Sequence, residues 1–121
     1  MTPLDVARKA LELIDASPEF KYSGDPFVGC AYLRRDEDGN VTGEGDCLFG
    51  QALISLGVPV EYLDQQEGNG IETVLAHLET GESTPVPGGH LTYAQWAQDD
   101  EQAWGSDAVR GEVVAFIEGQ E

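Results

Sequence analysis

Apolar residues recur at helical spacing in five stretches of this chain and form one short continuous run. The densest stretch is Asp46 to Pro59, where Leu48, Phe49, Ala52, Leu53 and Leu56 repeat every three or four residues and Ile54 adds a second face. Neighbours can then cover most of its circumference, so it is predicted to be the central helix. Asp46 stands where an N-cap carboxylate would accept free amides, Gly57 at the left-handed exit, and Pro59 where continuation is forbidden.

The N-terminal stretch has the same grammar. Leu4, Ala7, Leu11 and Ile14 mark a stripe widened by Ala10 and Leu13, with Thr2 as hydroxyl cap, Pro3 at the first position and a stop near Ser17 before Pro18. Phe27 to Leu33 is short, apolar and bounded by turn residues, which predicts a strand buried on at least one face. Asp36 to Asn40 supplies a turn through Asp38-Gly39, and a return strand is expected over Asn40 to Gly43.

Past Pro59, Val60, Tyr62 and Leu63 predict one short helical turn before the Gly68-Asn69-Gly70 break. Asn69 with Glu72 reads as a capping box for a helix carrying Ile71, Val74, Leu75 and Leu78, closed by Gly81. Residues 81 to 90 form a loop by composition. Thr92 with Gln95 reads as the next cap, Leu91 against Trp96 as a hydrophobic staple, and the helix is predicted to reach Trp104. Ser106 then caps a last helix holding Val109, Val113, Phe116 and Ile117. The expected fold is α+β, mainly helical, with about five helices and one β-hairpin between the first and the central helix, in a single domain over residues 1 to 121. A chain of 121 residues buries about two-thirds of its unfolded surface, enough for one core.

Charge narrows the possible ligands. Asp and Glu number 23 against 6 Lys and Arg, for a net charge of -17, and no Lys or Arg falls between Arg35 and Arg110. Backbone contacts to DNA or RNA neutralise phosphate with cations that this chain lacks, so direct nucleic-acid binding is disfavoured. An anionic membrane surface is disfavoured on the same ground, and no stretch approaches eighteen apolar residues. The N-terminus carries no cationic segment followed by an apolar run, so a cytoplasmic location is expected, with Cys30 and Cys47 as reduced, buried thiols.

Cys47 is the strongest candidate for chemistry, because a thiol at a helix start is acidified by the helix dipole and His77 or His90 offers a base. Asp46-Cys47 resembles the Asp-Cys-Ser-Gly opening of papain-like cell-wall endopeptidases, and that resemblance implies a cysteine hydrolase. The sequence departs from the family at Leu48 and Phe49, where Ser and Gly would stand, and a buried structural cysteine is the plainer reading. Asp36, Asp38, Asn40, Thr42 and Glu44 alternate oxygen groups as a calcium loop does, but Val41 and Cys47 occupy the positions that need glycine and glutamate. His77 and His90 lack zinc spacing, and no phosphate-binding or dinucleotide motif occurs. No metal, cofactor or catalytic residue is therefore expected.

Tyr93, Trp96 and Trp104 fall near one side of a single predicted helix, with Asp99, Asp100 and Glu101 among them. Both tryptophans can be core anchors. Alternatively, Tyr93, Trp96, Asp99, Asp100 and Glu101 form an aromatic and acidic face for a basic protein surface, since Trp and Tyr dominate interface hot spots.

Cys47-Leu48-x-Gly50-x-Ala52-Leu53-x-x-Leu56-Gly57-Val58-Pro59, with Ala97-Gln98-Asp99-Asp100 and Trp104-Gly105 downstream, resembles small hypothetical proteins of actinobacteria and their bacteriophages. The resemblance implies provenance, a phage gene product acting inside a host cell, and brings no activity, cofactor or site residue with it. The leading expectation is a non-enzymatic, cytoplasmic interaction protein, monomer or homodimer, that binds or inhibits a host protein with a basic surface. Two alternatives stand beside it: a DNA mimic occupying a nucleic-acid-binding protein, and the cysteine hydrolase using Cys47.

Overall fold

The structure is a computed structural model that describes residues 3–21, 32–38, 40–66, 70–80, 89–100 and 102–120. It is α+β and mainly helical, with a two-stranded antiparallel hairpin between the first two helices. Helix α1 spans Pro3–Ala16 and buries Ala7, Ala10 and Ile14 of the expected stripe together with Val6, which the stripe did not include, while Leu4, Leu11 and Leu13 are partly buried. The hairpin strands are β1, Leu33–Arg35, and β2, Val41–Gly45, pairing Leu33 with Gly45 and Arg35 with Val41 across an irregularity in register. The first strand thus begins where the sequence expected it to end, and Phe27 to Ala31 lie outside the described residues. Asp36 makes the turn: its Oδ1 accepts from the backbone amides of Asp38 and Asn40, each at 2.9 Å, so the oxygen that suggested a calcium loop is satisfied by its own chain.

Helix α2, Leu48–Ser55, is the buried centre, with Leu48, Phe49, Gly50, Ala52 and Leu53 inside. Each of its large apolar side chains contributes about 1.5–3 kcal/mol by burial. Gly57 closes it at φ +91°, a backbone conformation that a Cβ would strain. The expected N-cap is corrected by one residue. Cys47 occupies the cap, its Sγ accepting from the Gly50 amide at 3.4 Å, while Asp46 instead donates its own amide to the Tyr32 carbonyl at 2.9 Å. Gly50 is glycine because the hairpin strand crosses there: a Cβ would lie 2.0 Å from the Tyr32 carbonyl oxygen.

Next come α3, Val60–Gln65, and α4, Ile71–Thr80, then α5, His90–Asp99. A π-helical turn over Asp107–Gly111 leads into α6, Glu112–Gln120. α1 packs on α2 and α6, and α5 packs on α6 and the π-helical turn. One apolar core joins them, from Val6 and Ile14 through Phe49 and Leu53 to Ile71, Leu91, Val109 and Val113.

Three expectations about the second half change. α5 begins at His90 with Gly89 as N-cap, so Thr92 sits inside the first turn and is buried. The Leu91 and Trp96 staple goes with it: five residues apart within a helix, the two point about 140° from one another, and Leu91 is buried while Trp96 is exposed. α5 also ends at Asp99, with Asp100 as C-cap, so Trp104 is not on it. Trp104 instead lies in a stretch that runs beside the end of α1, its amide bonded to the Phe20 carbonyl at 2.9 Å and its ring 4.6 Å from that of Phe20. Ser106 takes the cap position before the π-helical turn, but through its backbone, whose carbonyl accepts from the Arg110 amide at 2.7 Å.

Candidate aromatic and acidic face on helix five

The inner side of α5 is built from polar side chains that finish other helices. Gln98 Oε1 accepts from the Leu48 amide at 3.1 Å, satisfying a free donor at the start of α2. One turn earlier, Gln95 Oε1 accepts from the Ile71 amide at 2.8 Å, doing the same for α4, and its Nε2 donates to the Tyr32 hydroxyl at 3.1 Å. α4 returns the contact. Glu72 Oε2 accepts from the amides of Gly89 and Thr92, at 2.6 and 3.2 Å, and from the Thr92 hydroxyl. In an ordinary capping box those two amides are served by the cap's side chain and by the glutamate three residues on. Gly89 has no side chain, so one carboxylate from α4 does both jobs and favours the positive end of α5. Glu72 was expected to cap its own helix; Asn69, its intended partner, lies outside the described residues.

With the inner side fixed in this way, the outer side of α5 is set. Tyr93 and Trp96 are 49% and 58% exposed, their ring centroids 5.6 Å apart and their planes tilted by 67°. Tyr93, Trp96 and Asp100 fall at spacings of three and four and therefore share one face. Asp100 is exposed, whereas Asp99 is half-buried and its Oδ1 accepts from Gln98 Nε2 at 3.0 Å. Glu101 lies outside the described residues. Of the two tryptophans, Trp104 is a core residue at 3% exposure and only Trp96 is free to meet a partner. The sequence put them on one helix because it could not see the break after Asp99.

Cys47 has no free thiol. It is fully buried and disulfide-bonded, and the only other cysteine in the chain, Cys30, lies outside the described residues. This corrects the expectation of a reduced thiol there, and it removes the thiolate a cysteine hydrolase would need while the bond is intact. The histidines considered as bases are engaged elsewhere: His90 Nδ1 lies 2.6 Å from Glu112 Oε2, and the His77 ring stacks at 5.3 Å on that of Tyr62. The Tyr62 hydroxyl donates to the Val74 carbonyl at 3.3 Å, and burial raises its pKa. Among the described residues, no cluster of three or more His, Cys, Asp or Glu side chains could hold a metal ion.

Three of the six cations form ion pairs within the chain: Lys9 with Glu12 at 3.3 Å, Arg34 with Glu44 at 3.3 Å and with Asp46 at 3.7 Å, and Arg110 with Asp15 at 3.0 Å. A depression of about 350 Å³ beside α1 is lined by Asp5, Arg8, Lys9, Glu12 and Leu56, charges of both signs with no convergent chemistry. Among the described residues, no helix is long and apolar enough to cross a membrane. No family model, curated protein or solved structure matches the chain.

Proposed function

We propose that this protein is a non-enzymatic interaction protein that docks on a host protein with a basic surface through the outer face of α5, using Tyr93, Trp96 and Asp100, with Asp99 and, by its place in the sequence alone, Glu101 as further acid. One observation carries the reading: two large aromatic side chains stand side by side in solvent on a helix whose opposite face is fully committed to the fold. An exposed aromatic pair beside acid is what an interface anchor with a polar rim looks like before its partner arrives. The charge of -17 adds long-range attraction for a basic partner and speeds encounter with it. Provenance as a phage gene product in an actinobacterial host, and action in the cytoplasm as monomer or homodimer, belong to the same proposal. In a reducing cytoplasm the Cys47 disulfide would have to form and persist against the thiol pool.

The test is affinity capture from an actinobacterial lysate, comparing the native chain with a Tyr93→Ala/Trp96→Ala double variant. A protein retained by the native chain, released as salt rises and absent with the double variant is the expected result. An identical captured set for both chains would remove α5 as the docking face. Of the alternatives, mimicry of DNA wants acid ranked along one face, whereas exposed carboxylates stand on α1, the hairpin, α3, α4 and α6 alike.

A further inference from the structure

We infer that the α5 face recognises an arginine side chain in a basic segment of its partner, the guanidinium stacking on Trp96 while it bonds to Asp100. The inference rests on the docking reading and deepens it by naming the group that is read. A 67° tilt between the rings of Tyr93 and Trp96 prevents either from covering the other fully, which leaves aromatic surface open. Trp is the best of the side chains for holding a cation over its ring, within about 6 Å of the centroid. Asp100 lies one helical turn beyond Trp96 on the same face, so a group seated on the ring has a carboxylate within its span. Asp99 is turned toward Gln98 and bonded to it, so among the described residues of this stretch Asp100 is the anion for this contact.

Arginine fits this arrangement better than lysine. Its guanidinium is planar and weakly hydrated, so it can lie flat on an indole and still direct an N–H edge at a carboxylate. The lysine ammonium is compact and strongly hydrated, and stripping its water for a half-open ring gains less. Charge complementarity selects the sign of the ligand, since a chain of net charge -17 attracts any cationic segment. The aromatic pair then selects among cations.

The experiment uses the full chain and two synthetic peptides of equal length and charge, one arginine-rich and one lysine-rich, with binding measured by titration calorimetry at low and at raised salt. At low salt both peptides bind. The arginine peptide is expected to bind about fivefold tighter, a margin that persists as salt weakens both. Trp96→Leu should abolish the margin, Trp96→Phe should keep part of it, and Asp100→Asn should reduce it. Trp96 is exposed, so these variants keep the fold, which a urea midpoint verifies. Equal affinity for the two peptides, no binding of either, or a margin untouched by Trp96→Leu would each overturn the inference. A lysate protein that requires Trp96 but is not displaced by the arginine peptide also overturns it, and leaves the docking face standing. If capture ignores Trp96 altogether, both readings fall.

Discussion

Gln95 and Gln98, on the inner face of α5, are 3% and 0% exposed, whereas Tyr93 and Trp96, on its outer face, are 49% and 58% exposed. Hydrophobicity alone would place them the other way round. The glutamines are inside because each closes a backbone donor that burial would otherwise leave unsatisfied, and a buried amide so employed aligns the elements it joins. The aromatics are outside because the described elements leave about half of each side chain open to water. One helix thus separates what holds the molecule together from what it offers outward.

The sharpest way to break this contrast is at the seat of α2, where Gln98 docks. Gly50→Ala would drive a Cβ to 2.0 Å from the Tyr32 carbonyl, and backbone on both sides leaves little room to yield. The expected loss exceeds about 3 kcal/mol, read as a collapse of the urea midpoint or failure to fold. A midpoint near that of the native chain would mean that hairpin and helix are not in contact there.

Gln98→Leu tests the inner face directly. It keeps apolar volume but orphans the Leu48 amide, for an expected loss of about 1–3 kcal/mol. Gln95→Leu should behave similarly, since it orphans the Ile71 amide. If either leucine variant is as stable as the native chain, these glutamines are not closing helix ends.

Glu72→Ala is expected to be milder, about 1–2 kcal/mol, as for loss of an N-cap. Hydrogen exchange should localise the change, with faster exchange at the Thr92 amide and little effect within α2. Uniform loss of protection across the chain would instead make Glu72 a global support.

What could be read from the sequence divides along the same line. α1 with its stop before Pro18, the exit of α2 at Gly57 and the turn at Asp36 were legible because each is written within a few neighbouring residues. The α5 start falls three residues before the expected one because Thr92 and Gln95 have the chemistry of a local capping box, yet spend it on Glu72 and on Ile71 and Tyr32. Gln98 and Leu48 are fifty residues apart, a separation no local pattern bridges. The disulfide at Cys47 departs from expectation for a different reason: reduced thiols follow from an expected cytoplasmic location, a premise about the compartment and not about the chain. Tyr93, Trp96 and Asp100 could be nominated by residue type alone; which tryptophan faces outward depended on a helix that stops at Asp99.

The smallest effect on stability is expected at the outer face. Trp96→Ala should move the unfolding free energy by no more than about 1 kcal/mol, because more than half of the side chain stays in water on folding. Its fluorescence consequence should be large, since Trp96 supplies the emission that a neutral quencher such as acrylamide can reach, and Trp104 is shielded at 3% exposure. The native chain is therefore expected to quench as two populations, the Trp96→Ala variant as one protected population, and a Trp104→Ala variant as one accessible population with clearly lower stability. Should Trp96→Ala destabilise the chain as much as Gln98→Leu, the outer ring is a packing element, and the distinction between the two faces of α5 disappears together with the docking surface built on it.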